Sequence, residues 1–202
     1  MTDPAPAPPS GGTSLTLLER LRANEPDAWR SMVHLYTPLV YRWCAHFGVR
    51  GADADDVLQE VFRTAAGRLE NFRRDRPGDS FRGWLRGITR YMSLLHFRAR
   101  GRQPQAAGGT EALLLLNEAL DQTAEPDADD DEPAELEGLR RRALEQVRGE
   151  FEEKTWRMFW QTVIDDRSPV DVAAEAGVTP AAVRKAKSRV LHRFKETFGD
   201  LL

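Results

Sequence analysis

Cysteine is nearly absent from this chain of 202 residues, where Cys44 stands alone. A lone thiol excludes an intrachain disulfide and a multi-cysteine zinc site. Long apolar runs are missing as well. The longest, Ala112–Leu116, falls far short of the ~20 residues that cross a bilayer, so no membrane insertion is expected. The opening stretch MTDPAPAPPSGGTS lacks a basic start followed by an apolar core, so it is not read as a secretory signal, and the cytoplasm is the expected compartment. Alternation of β-branched residues is also absent, which argues against a sheet. Nor is there a strong net charge: 29 Lys plus Arg face 32 Asp plus Glu, a formal -3. Taken over the whole chain that balance speaks against nucleic-acid binding, but taken by segment it does not.

The charges are segregated. Residues 1–14 hold Pro4, Pro6, Pro8, Pro9 and a Gly-Gly pair, with nothing to build a core beyond Met1, and read as a disordered tail. Residues 15–102 are dense in aliphatics and aromatics, and their second half is basic, with a series of arginines from Arg63 to Arg102 set against Glu70, Asp75 and Asp79. QPQAAGGT, residues 103–110, reads as a linker, and the stretch 121–137 carries nine acids and no base. Like charges at that density repel one another and resist burial, so 103–138 is predicted to be a flexible acidic connector, with EALLLLNEAL forming a short helix within it. A basic segment follows over 139–202. The expectation is an all-α protein of two small helical domains, each of roughly 60 to 90 residues, a size that folds alone.

Apolar positions recur at helical spacing over 15–23, 26–47, 53–69 and 81–98, and in the C-terminal half near 135–149, 152–165, 169–176 and 180–198. Pro26 suits a helix start, Gly48 a stop, and Ser80 a cap for the helix opening at Phe81.

The segment SPVDVAAEAGVTPAAVRKAKSRVLHRFKE, residues 168–196, carries the clearest chemistry. Ser168-Pro169 starts a short helix, Gly177 ends it, and Thr179-Pro180 starts the next, the pattern of a DNA-binding helix-turn-helix. On the second helix Val183, Ala186, Val190, Phe194 and Phe198 share one face. Arg184, Lys185, Ser188, Arg189, His192 and Lys195 share the other, and Pro180–Lys195 holds six Lys or Arg and no acid. Such a helix suits phosphate neutralisation and base-edge contact in a major groove. Thr179, Ala181, Ala182, Arg184, Lys185 and Ser188 would lie nearest the bases, with Arg189, His192 and Lys195 nearer the backbone. An ordinary solvated helix usually mixes charge signs, and this one does not. Trp156, Phe159 and Trp160 are expected to pack the motif from behind.

In the N-terminal half, Asp55, Asp56, Gln59, Glu60 and Arg63 lie mainly off the apolar stripe of the 53–69 helix. The 81–98 helix interleaves Arg82, Arg86, Arg90 and Arg98 with Trp84, Tyr91, His96 and Phe97. Cations among aromatics suit an unpaired strand, whose bases stack while its phosphates are neutralised. Trp84 is expected in the core, with Tyr91 and the arginines at the surface. Two other functions compete for these residues. Asp53, Asp56 and Glu60 are spaced to hold a hard metal, but no second carboxylate element or nucleophile–base pair accompanies them, so neither an enzyme nor a cofactor is predicted. A stand-alone repressor or activator would need a dimer interface or ligand pocket, and neither is legible.

The two motifs DADDVLQEVF (53–62) and FRGWLRGITRYMSLLHFR (81–98) resemble region 2 of the bacterial sigma factors, closest to the short extracytoplasmic-function (ECF) type, and the C-terminal segment resembles region 4. Together they cover most of the chain outside tail and connector. Tyr91 stands where the family usually has Asn, Leu95 where Asp is common, and Val183-Arg184-Lys185-Ala186 where a Val-Lys-Ser-Arg run is usual. These departures bear on which promoter is read.

The resemblance implies a transcription initiation factor. Region 2, residues 15–102, would dock on core RNA polymerase through Asp55, Asp56, Gln59, Glu60 and Arg63. It would also recognise and melt the −10 element, capturing the non-template strand through Asn71, Arg73, Arg74, Arg82, Arg86, Arg90, Tyr91 and Arg98, with a base flipped into the loop 71–80. Region 4, residues 139–202, would anchor on −35 duplex through Thr179, Ala181, Arg184, Lys185, Ser188, Arg189 and His192. An anti-sigma factor or other regulatory protein is a conceivable further partner. The acidic connector is expected to imitate nucleic acid and to suppress DNA binding by the free chain.

Overall fold

The computed structural model describes residues 16–73, 79–101 and 132–199. The tail, the segment 74–78 with Arg74, and the connector from 102 to 131 lie outside the described residues. Among those described, the regular structure is helical throughout and no strand occurs. The all-α expectation therefore stands.

Local chemistry accounts for where the helices begin. In α1 (Leu17–Arg22), Thr16 Oγ1 accepts from the Glu19 N–H at 3.3 Å, and the Glu19 carboxylate accepts from the Thr16 N–H at 2.7 Å, a reciprocal capping box. Helix α2 (Pro26–His46) opens on its proline. Its buried face holds Met32, Leu35, Tyr36, Leu39, Val40, Trp43 and Cys44, spaced by threes and fours. Helix α3 (Ala52–Arg68) buries Ala54, Val57, Val61 and Ala65 and runs into a 3-10 turn at Leu69–Asn71.

Helix α4 (Phe81–Gly101) starts where Ser80 Oγ accepts from the Gly83 N–H at 3.0 Å. A Cβ at Gly83 would stand 3.1 Å from that same hydroxyl, closer than side chains normally approach. Helix α4 lies against α2 and α3. Its buried Thr89 and Ser93 donate their hydroxyls to the Leu85 and Thr89 carbonyls of their own helix, both at 2.9 Å, so burial leaves neither unsatisfied.

The C-terminal half begins earlier than the connector boundary implied. Helix α5 (Glu132–Val147) takes in residues 132–138, which the acidic composition assigned to solvated linker. Carboxylates in the first turns of a helix face the positive end of its dipole, so the acids that would repel in a coil fit here. A 3-10 turn at Arg148–Glu150 leads to α6 (Glu153–Val163), then α7 (Pro169–Ala176) and α8 (Pro180–Phe198). Helices α6 and α7 both pack on α8, and α5 lies between α2 and α8.

Apolar packing continues from the N-terminal half into the C-terminal half. Leu139, Ala143, Leu144, Val147, Trp156, Phe159, Val190 and Phe198 belong to one buried cluster with the residues of α1 to α4. The helix-turn-helix keeps a small cluster of its own, Met158, Val172, Ala173, Val183 and Ala186. Trp156 and Phe159 back the motif as expected. They also connect it to the larger core.

Candidate nucleic-acid interface

Three surfaces carry the predicted site residues. The first is the helix-turn-helix. Ser168 Oγ accepts from the Asp171 N–H at 3.1 Å to start α7, and Gly177 takes a left-handed conformation (φ 63°, ψ 42°) that ends it. Thr179 Oγ1 accepts from the Ala182 N–H at 3.2 Å to start α8. A clasp holds α7 against the end of α6. Glu175 pairs with Arg167 at 2.7 Å and accepts from Gln161 Nε2 at 3.2 Å, and these hydrogen bonds hold its carboxyl below the usual range.

With Val183, Ala186 and Val190 buried, the opposite face of α8 is turned outward. Thr179, Ala181, Arg184, Lys185, Lys187, Ser188, Arg189, His192 and Lys195 are all exposed. Arg184, Lys185, Lys187 and Arg189 form no ion pair among the described residues. His192 Nε2 lies 3.2 Å from Glu196, one turn on. Arg193 is turned inward, where it grips Glu150 at 2.5 and 3.1 Å and is held all the more firmly in its charged form. The cationic face is therefore both presented and largely uncompensated.

The second surface is the outer side of α4 with the residues before it. Here the structure corrects the sequence reading. Tyr91, expected at the surface, is 4% exposed and belongs to the core, where burial pushes its hydroxyl pKa up. The reason is helical phase: Phe81, Leu85, Ile88 and Tyr91 follow one another by threes and fours along the buried stripe. Leu94 and Phe97 continue by threes, and each such step turns the row by about 60° away from the core. They emerge at 49% and 46% exposure, beside exposed Arg90 and Arg98. The exposed apolar members of this surface are thus Leu94 and Phe97, not Tyr91. The sequence reading did not single out Leu94; a run of threes outlasting the core stripe is the pattern that marks such positions.

Arg82 is also corrected. Its side chain is 13% exposed, and its Nη1 donates to the buried Glu135 Oε2 at 3.3 Å. Arg86 is half-buried and engaged with neighbours. Trp84 is half-buried at the edge of the core, against Phe72 and Phe81, with ring centroids 5.2 and 5.4 Å away. Asn71 and Arg73 are exposed, and Arg73 donates to the Phe72 carbonyl at 3.2 Å.

The third surface is the outer side of α3, where Asp55, Asp56, Gln59, Glu60 and Arg63 are all exposed. Arg63 and Glu60 pair along the helix. The structure adds Tyr41 of α2, exposed beside them, whose hydroxyl donates to Asp55 Oδ1 at 2.6 Å. That bond raises the Tyr41 pKa by stabilising the protonated phenol. Asp53, considered as a metal ligand, instead receives the Arg100 fork, with His96 Nε2 at 3.6 Å. Among the described residues no three His, Cys, Asp or Glu side chains converge as a metal site requires, and no helix is long and apolar enough to cross a membrane.

Residues 32–103 match the family model described as sigma-70 region 2. The chain is 34% identical over 86 residues to the ECF RNA polymerase sigma factor BldN of Streptomyces coelicolor, a stretch that makes up 42% of this chain and 31% of that protein. The match thus spans about a third of the relative's length. The resemblance to ECF sigma factors read from the sequence is borne out through region 2, which takes in the second and third surfaces. The helix-turn-helix lies outside the residues that match the region 2 model and stands on its own geometry.

Proposed function

We propose that this chain is a transcription initiation factor that brings core RNA polymerase to specific promoters. Three separate faces support the reading, one acidic-polar, one apolar with cations at its edges, and one cationic. In this division of labour the α3 surface with Asp55, Asp56, Gln59, Glu60 and Arg63 meets basic residues of the polymerase. The α4 surface, with Arg90, Leu94, Phe97 and Arg98 and with Asn71 and Arg73 ahead of it, holds the melted non-template strand of the −10 element. Helix α8 enters the −35 major groove through Thr179, Ala181, Arg184, Lys185 and Ser188, with Arg189 and His192 toward the phosphates. Nothing in these roles asks the chain to make or break a covalent bond, and work on chromosomal DNA places it in the cytoplasm.

The observation that carries the reading is the outward face of α8. Four cations there are exposed and lack carboxylate partners among the described residues, on a helix that a buried apolar stripe holds in place. Run-off transcription with purified core polymerase over a promoter library tests it. Initiation at a defined subset of promoters, only when the chain and core are both present, is the expected result. A footprint on duplex DNA by the chain alone, with no transcript in the complete mixture, would overturn it in favour of a stand-alone repressor.

A further inference from the structure

Glu135 is a carboxylate whose side chain is 2% exposed, and it sits on the helix that closes the gap between the two halves of the chain. Both of its oxygens lie 3.1 Å from Trp43 Nε1 of α2, and Oε2 also accepts from Arg82 of α4. Further along the same face, Arg142 Nε donates to the Leu35 carbonyl at 3.0 Å, and Gln146 Nε2 to the Ser31 carbonyl at 3.0 Å. Positions 135, 139, 142 and 146 fall on one stripe, so Leu139 is the apolar member among three polar contacts. On this stripe α5 meets α2 and α4 through hydrogen bonds and a charge pair set around the buried Leu139.

Release of this helix exposes Leu139 but orphans neither α2 carbonyl. The Leu35 and Ser31 carbonyls lie inside α2 and accept from its own N–H groups, so each keeps a partner when the side chain withdraws. The docked state carries a cost of its own. Arg142 Nη2 is buried without a hydrogen-bond partner, and desolvation together with the nearby Arg42 charge disfavours its cation. The other side of α5 is different. Ala143, Leu144 and Val147 are buried on the helix that also packs against α8, so α5 would leave α2 together with the helix-turn-helix. Helix α1 touches α8 too, and that contact would part in the same motion.

We infer that α5 is a removable strap, and that Glu135 occupies on Arg82 the place that a phosphate of the melted strand takes when the chain is at work. The inference rests on the proposed function and adds a regulatory contact to it. A guanidinium binds carboxylate and phosphate through the same planar donors. Exchange of one anion for the other therefore keeps Arg82 paired and returns Glu135 to water. Because the two anions compete, binding of the strand and docking of α5 weaken each other by the same factor. The free chain holds a cation of its −10 face covered, and the covering residue comes from the acidic stretch that leads out of the connector.

The test uses the full chain with Glu135→Gln, which keeps an acceptor for the Trp43 indole and removes the charge. Gln146→Ala serves as a second variant that loosens the same helix away from Arg82. Hydrogen exchange of the Leu139–Val147 amides reads docking. Binding of a fluorescent mixed-sequence single-stranded 15-mer reads access to the cation, the length being about that of one single-strand site. Both variants are expected to lose protection in α5 and to bind the oligonucleotide at least about fivefold more tightly, the lower end of ordinary coupling between sites. The gain should vanish when Arg82→Ala is added. Faster exchange with unchanged oligonucleotide binding, or a gain that survives Arg82→Ala, overturns the inference. Run-off transcription by the same preparations separates the two readings. Active wild type with no Arg82-dependent gain sinks the strap alone, whereas an Arg82-dependent gain without transcription sinks the proposed function and leaves the strap.

Discussion

Arg100 Nη1 and Nη2 meet Asp53 Oδ2 and Oδ1 at 2.5 and 2.9 Å, a two-pronged contact that ties the last turn of α4 to the first turn of α3. It joins the two helices that carry the proposed polymerase-facing and strand-facing residues. The Arg100 side chain is 65% exposed, so water screens the pair. Asp53→Asn should therefore cost only about 0.5 kcal/mol in urea unfolding. Its larger effect should be local, as faster hydrogen exchange over the last turn of α4.

Phe97 and Tyr91 should behave in opposite ways. Phe97→Ala removes an exposed ring, so stability should stay within about 0.5 kcal/mol of the parent. Binding of single-stranded DNA should weaken by about 1–3 kcal/mol if a base stacks there. Tyr91→Ala opens a cavity in the core and should cost about 3 kcal/mol of stability. Paired denaturation and oligonucleotide titrations distinguish the two. Equal loss of stability in both variants would contradict the phase assigned to α4.

Arg184→Ala with Lys185→Ala leaves the buried stripe of α8 untouched, so the helical content by circular dichroism should not change. Affinity for promoter duplex should fall by about 1–3 kcal/mol where either side chain contacts a base edge bidentately. The dependence on salt should also flatten, because fewer phosphates are neutralised. Unchanged affinity and slope would remove α8 from the interface.

Glu60→Lys reverses a charge on the exposed face of α3. The melting temperature should hold, while co-purification with core polymerase should drop. Retention at the parental level would show that this face is not the one that docks.

Cys44 offers a pH-dependent readout of the core. It is fully buried, and burial pushes its thiol from 9.0 up to about 11. The folded chain then holds its proton where the unfolded chain has lost it. Stability from this group is complete below pH 9 and declines as pH rises from 9.0 toward about 11. Iodoacetamide should accordingly label the native chain very slowly at pH 8 and rapidly in urea. Fast native labelling would mean that α2 is not sealed as described.

Much of the molecule was legible in its sequence because the signals are local. Ser168-Pro169, Gly177 and Thr179-Pro180 mark the helix-turn-helix within a dozen residues, and each performs the capping role its type implies. The cationic face of α8 was readable for the same reason. Tyr91 departs from expectation because a polar ring among arginines suggests the surface, whereas its helical phase continues the buried Phe81–Leu85–Ile88 stripe. The docking of α5 was not legible, since it depends on pairs far apart in the chain. Glu135 meets Arg82 across 53 positions and Trp43 across 92. A run of acids reads as solvated until the donors it meets are known.

The Ser80–Gly83 contact has a consequence for how the strand-facing helix can vary. The hydroxyl that starts α4 occupies the space a methyl group at position 83 would need. Alanine at 83 requires that hydroxyl to shift by a few tenths of an ångström. In a mutational library, tolerance of a side chain at 83 should therefore depend on which residue stands at 80.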